Sequence, residues 1–122
     1  MVDGIGNGSG LDRLRNWDNP SQAKASKELD NKFTSDMWSV FDSAGNILIS
    51  KHKDYGPTNI SNAPGGALNG LRVRMHDKTA RINHLIDSGA TPENESLKDS
   101  FVDLLNYSAI AIMVLEGKWP NA

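Results

Sequence analysis

A chain of 122 residues has room for one small domain, and its 13 Lys and Arg against 15 Asp and Glu leave a net charge of −2. That balance excludes a protein that coats nucleic acid by bulk positive charge, and equally an acidic solvating tail. The absence of Cys excludes disulfides, zinc–thiolate sites and Cys nucleophiles.

Residues 1–18 carry Gly4, Gly6, Gly8 and Gly10 and few apolar side chains. They read as a flexible leader, with docking through Leu11, Leu14 and Trp17 as the alternative. Residues 19–122 read as one all-α domain of three to four helices, in which Asn19-Pro20 signals a helix start. A short polar helix to about Lys32 is expected. Thr34 then caps a second helix over roughly Ser35–His52, on which Met37, Val40, Phe41, Ala44 and Ile47 or Leu48 recur at helical spacing. Two short strands flanking 43–46 are the alternative, since Ile47-Leu48-Ile49 is β-compatible. Gly56-Pro57 ends this element, and a loop rich in Asn, Ser, Pro and Gly is expected up to Gly70. Leu68, Leu71, Met75, Ile82, Leu85 and Ile86 mark the next helix, stopped by Ser88-Gly89. Thr91 or Asn94 is expected to cap the last one, running from about Glu93 to Glu116 and ended by Gly117 and Pro120.

Three polar features stand on this frame. On the last helix Glu95, Asp99 and Asp103 at i, i+4 and i+8, with Asn106, fall within an arc of roughly 80°. Leu97, Phe101, Leu104, Leu105, Ser108 and Ile112 lie opposite. Stacked carboxylates suit a hard cation such as Mg²⁺ or Mn²⁺; a solvated or Arg-paired face is the alternative. On the preceding helix Arg74, Lys78 and Arg81 form a basic row, extended by His84, that could grip phosphates. A solvated face with an Asp77–Arg81 pair is the bland alternative. Third, Lys51, Asp54, Tyr55 and Asn59 gather around a Gly-Pro turn, where they could hold a base and a sugar. Ordinary C-capping by the basic residues is the alternative there.

The charges are divided by position: four basic residues and one acid between Arg72 and Arg81, four acids and one Lys between Glu93 and Asp103. Only 38% of the residues are hydrophobic, below the usual globular share of roughly 45–50%. Even so, Ile110, Ile112, Met113, Val114 and Leu115 leave the last helix apolar nearly all round, so a homodimer or higher homo-oligomer is expected. No apolar run approaches the roughly 18 residues of a membrane span. No signal peptide is read either, and no membrane contact is expected.

The order of these pieces is more specific than any one of them. Lys51-x-x-Asp54-Tyr55-Gly56 comes first, then Val73-Arg74-x-x-Asp77-Lys78-x-x-Arg81. Glu95-Ser96-x-x-Asp99-Ser100-x-x-Asp103-Leu104-x-Asn106-Tyr107 follows. Together they resemble the nucleotide modification associated domain type 1 family of phages and bacteria, over about residues 35–116. That family is similar in turn to the all-α nucleoside triphosphate pyrophosphohydrolases, the MazG and dimeric dUTPase group. The resemblance implies a metal-dependent pyrophosphohydrolase acting on (deoxy)nucleotides. Glu95, Asp99 and Asp103 would be catalytic and metal-binding. Arg74, Lys78 and Arg81 would neutralise the phosphates, and Lys51, Asp54, Tyr55, Asn59 and Asn106 would contact the nucleoside. A cytoplasmic location is expected, the host bacterial cytoplasm for a phage protein, and the charge balance makes direct binding of nucleic acid unexpected. The chain departs from that group in lacking a Glu-Glu-x-x-Glu motif on an earlier helix, where it offers Asp36 and Asp42, with Glu28 and Asp30 upstream. A non-catalytic nucleotide-binding module is therefore the alternative, and a structural helical partner protein the third reading.

Overall fold

The computed structural model describes the backbone of residues 20–122 and side chains from Lys27 onward. The Gly-rich leader, its apolar residues and the Asn19 cap lie outside the described residues. Four helices and no strand are found among the described residues: α1 (Pro20–Tyr55), α2 (Thr58–Ser61), α3 (Ala67–Ser88) and α4 (Leu97–Leu115). The expected all-α class is therefore the one observed. Among the described residues no helix is long and apolar enough to cross a membrane. The described chain divides into two units, one up to Phe41 and the other over residues 42–122.

In the first unit α1 shows no break near Lys32 and no cap at Thr34; one helix runs through both expected ones. An i, i+4 ion pair, Lys32 Nζ to Asp36 Oδ2 at 2.6 Å, spans the expected junction. Leu29, Phe33, Val40 and Phe41 are exposed, and the Trp38 and Phe41 rings lie 5.9 Å apart at 55°.

In the second unit Gly45 is accommodated inside α1, and the strand alternative around it does not form. Gly56, at φ +67°, ends the helix three residues later than expected, with its N–H on His52 O at 2.8 Å. The long loop predicted beyond Pro57 instead folds partly into α2, and α3 already begins at Ala67. Gly70 is thus a helical residue. It is needed for close approach, because a Cβ there would stand 2.5 Å from the Ala63 Cβ. Gly89, left-handed at φ +64°, caps α3 where the sequence placed its stop.

The last helix starts later than predicted. Its N-cap is Ser96, not Thr91 or Asn94: Ser96 Oγ accepts from Asp99 N at 3.0 Å while Asp99 Oδ2 accepts from Ser96 N at 3.3 Å. This reciprocal box satisfies two otherwise orphaned donors. At the other end Lys118 N reaches Met113 O and Gly117 N reaches Val114 O, with Gly117 at φ +70°. Such a left-handed stop turns the chain sharply back. Trp119 thereby enters the core, 7% exposed, and its Nε1 donates to Pro57 O at 3.2 Å.

The α3 and α4 helices pack against each other as an antiparallel pair: Leu71 shares a cluster with Ile110, and Lys78 meets Asp103. Ile60, Leu71, Ile110 and Trp119 form the buried cluster, flanked by Leu48, Tyr107 and Met113. On α4 itself the predicted apolar side is only partly covered, Phe101 and Ile112 remaining about half exposed. Asn106 anchors α1 to α4, its Nδ2 donating to Ala44 O at 2.9 Å. Both residues are buried, so this bond satisfies an amide that would otherwise be costly to bury.

Candidate functional site

Beside the apolar cluster the second unit opens into a cleft of about 360 Å³. The end of α1 contributes Leu48, Lys51, His52 and Tyr55, and α2 with its flanks contributes Gly56, Asn59 and Ile60. Arg74 and Lys78 come from α3, Glu95 from the turn before α4, and Asp103, Asn106, Tyr107 and Ile110 from α4. Trp119 lines the wall. Its lining combines an apolar and aromatic part with a charged part.

The charged side is a ladder of alternating sign. Lys51 Nζ lies 3.0 Å from Asp103 Oδ1, and Lys78 Nζ lies 2.9 Å from Asp103 Oδ2 and 2.8 Å from Glu95 Oε1. Arg81 Nε stands 3.5 Å from Glu95 Oε2, and a terminal nitrogen of Arg81 donates to the Glu95 backbone carbonyl. Ser100, fully buried, donates its hydroxyl to Glu95 Oε2. Three cations thus alternate with two carboxylates. Arg74 stands close by, with Nη2 on Asn59 O at 3.4 Å.

These contacts set the protonation states. Burial raises the Glu95 carboxyl, but hydrogen bonds from Lys78 and Ser100 outweigh it and hold the group below its ordinary value. Burial raises Asp103 likewise, and Lys78 and Lys51 together bring it below the usual carboxylate range. Burial lowers the Lys78 ammonium, and its bonds to Glu95 and Asp103 more than restore it, to above the ordinary lysine value. Lys78, Glu95 and Asp103 are therefore all charged at neutral pH.

The structure brings eight of the eleven predicted site residues together: Lys51, Tyr55, Asn59, Arg74, Lys78, Glu95, Asp103 and Asn106 all line the cleft. Three do not line it. Asp54 is exposed on the last turn of α1. Asp99 belongs to the Ser96 capping box. Arg81 stands behind Glu95. The acidic stripe is also broken, because Glu95 precedes the helix that was expected to carry it. The basic row does not remain a solvated face, since Lys78 and Arg81 turn onto Glu95. Asn106 lines the cleft while its Nδ2 is committed to Ala44.

Sequence reasoning missed His52, Tyr107 and Trp119 as lining groups. The His52 and Trp119 rings meet edge to face, with centroids 5.2 Å apart at 72°. Trp119 follows the helix stop, and no periodicity marks such a residue as one that folds back. Tyr107 was visible within the last motif but carried no assigned role.

The donor set for a cation is limited. Among the described residues no three His, Asp or Glu side chains gather as a metal-ligand group. Two carboxylates, Glu95 and Asp103, converge on a single point, which the Lys78 ammonium occupies.

Residues 51–115 match the nucleotide modification associated domain 1 family. The chain belongs to this family. The match covers more than half of the chain and includes every charged residue of the cleft, from Lys51 to Asp103. Leu48 and Trp119, both apolar lining residues, lie just outside it. No curated protein and no solved structure matches the chain.

Proposed function

We propose that this member of the nucleotide modification associated domain 1 family binds a (deoxy)nucleotide with Mg²⁺ or Mn²⁺ and hydrolyses it to release pyrophosphate. One observation carries the reading: a single cleft joins the cations Lys51, Arg74 and Lys78 to Tyr55, Tyr107 and Asn59. The ladder has one more cation than carboxylates, and Arg74 adds another. A phosphate chain is the ligand that discharges such a row. Tyrosine rings offer stacking surfaces that any base can use. Glu95 and Asp103 fit a cation that brings its remaining ligands with it, because Mg²⁺ is commonly held by one or two carboxylates plus substrate phosphates. When bound, Mg²⁺ would neutralise phosphate charge. Lys51, Arg74 and Lys78 would orient the phosphates, and Glu95 or Asp103 would take the proton of the attacking water as that water displaces pyrophosphate from phosphorus. The likeness expected between this family and the all-α nucleoside triphosphate pyrophosphohydrolases motivates hydrolysis and a cytoplasmic setting as part of the same proposal. A second copy of the chain would cover Ile112 and Leu115, which are 55% and 71% exposed.

A second reading, a module that holds a nucleotide without turnover, is favoured by Asp99 serving as a helix cap. A panel of (deoxy)nucleoside mono-, di- and triphosphates with Mg²⁺, read by thermal shift and pyrophosphate release together, separates the two. Stabilisation with release is the expected result, and Asp103→Asn should abolish release while leaving the helical CD spectrum intact. Stabilisation without release selects the binding module, and neither signal with any nucleotide overturns both readings.

A further inference from the structure

The Lys78 ammonium sits 2.8 Å from Glu95 Oε1 and 2.9 Å from Asp103 Oδ2. These carboxylates come from different segments, the turn before α4 and its second turn, so no helical register makes them converge. Each is turned onto the same cation. Their other oxygens are engaged as well, Glu95 Oε2 by Ser100 and Asp103 Oδ1 by Lys51. A divalent ion needs those lone pairs, and at that point it would also face an ammonium of like charge.

A phosphate makes the opposite demand. It needs ammonium groups and has no use for the carboxylates, and both Lys51 and Lys78 line the cleft on flexible four-carbon stems. Drawing the two lysines onto phosphate oxygens leaves Glu95 and Asp103 converged on a vacated point beside those oxygens. Mg²⁺–oxygen distances are about 2.0–2.1 Å, so each carboxylate has less than ~1 Å to close.

We propose that Lys78 is a resident counter-ion that couples the two ligands: it keeps divalent metal out of the empty cleft and yields the carboxylate pair only when phosphate takes it up. The coupling is reciprocal, so metal also tightens phosphate binding. This rests on the nucleotide reading only in taking phosphate as the exchanging group.

The test uses Mn²⁺ and inorganic pyrophosphate as probes, by calorimetry and by the EPR signal of free Mn²⁺. Concentrations are corrected for the Mn²⁺–pyrophosphate complex formed in solution. In the wild type, saturating pyrophosphate should tighten Mn²⁺ binding by about tenfold or more. In Lys78→Met, Mn²⁺ should bind without pyrophosphate at least about tenfold more tightly than to the wild type, with the coupling reduced to what direct phosphate ligation of the metal supplies. Lys78→Gln, which removes the charge and keeps a polar side chain, serves if the Met variant does not fold. Equal Mn²⁺ affinity in wild type and variant, or no effect of pyrophosphate on the wild type, overturns the proposal. Coupling seen with pyrophosphate while no nucleotide binds would instead sink the nucleotide reading and leave the counter-ion role standing.

Discussion

Two stretches of the same helix pair solve the contact between α3 and α4 in opposite ways. Near the start of α3, Leu71 meets Ile110 and Trp119 in a dry cluster, and Leu71 is 1% exposed. Two turns further along, Lys78 meets Asp103 and Glu95, with the three side chains 12–28% exposed. Burying apolar surface stabilises by about 25 cal/mol per Å². A partly buried ion pair roughly breaks even, because desolvation offsets the attraction. The dry end therefore carries stability. The ionic end adds little net stability, which leaves its charges available for the role proposed above.

The sharpest way to break this contrast is at the dry end. Leu71→Ala should destabilise by about 2–5 kcal/mol, since the residue is enclosed on all sides. Chemical denaturation measures it, and a loss under about 1 kcal/mol would mean that the cluster does not anchor the helix pair.

A smaller effect is expected at the ladder. Asp103→Leu leaves Lys51 and Lys78 without their shared partner and should cost about 1–2 kcal/mol, below the value for a fully buried pair because the ladder retains solvent contact. Replacing the rung as a whole, with Lys78→Met, Asp103→Leu and Glu95→Gln combined, should return stability to within about 1 kcal/mol of the wild type. Nucleotide stabilisation should be lost in the same protein. If the triple variant is as unstable as Asp103→Leu, the ladder is structural and the contrast fails.

The pH dependence is the most graded effect. Glu95 and Asp103 have folded values below their ordinary ones, so their contribution is present above the ordinary carboxylate range and is lost as pH falls through the lowered values. The folded value of Lys78 is raised, so its contribution is present below the ordinary lysine value of 10.5 and is lost as pH rises through the raised one. Melting temperatures should fall at both extremes, and the triple variant should show a flatter profile. An unchanged profile would mean that these groups are not paired in solution.

Much of the fold could be read directly. Gly89 ends its helix where it was expected to, Gly56 ends α1 a turn beyond His52, and Gly117 closes the last. The site was legible as three motifs in order, and eight of their residues share one cleft. Other features were invisible for definite reasons. Periodicity divides α1 at its polar stretch around Thr34, but a helix continues through polar residues when nothing in the backbone stops it. The four-residue α2 is barely one helical turn, too short for a pattern to repeat. Thr91 and Asn94 read as the start and the Ser96-x-x-Asp99 box does not, and that early start puts Glu95 on the wrong element.

Local chemistry determined what sequence could determine here: helix formation from spacing, helix ends from glycine, and the types of charge on each segment. Only the tertiary structure decided which charges meet. Lys78 takes Glu95 and Asp103 as partners because the antiparallel pairing of α3 with α4 lays them alongside it, and that pairing is set by Leu71 and Ile110. Trp119 reaches the cleft wall because a left-handed Gly117 reverses the chain. Contacts across such distances depend on how helices pack, and hydrophobic spacing within one helix carries no record of its neighbour.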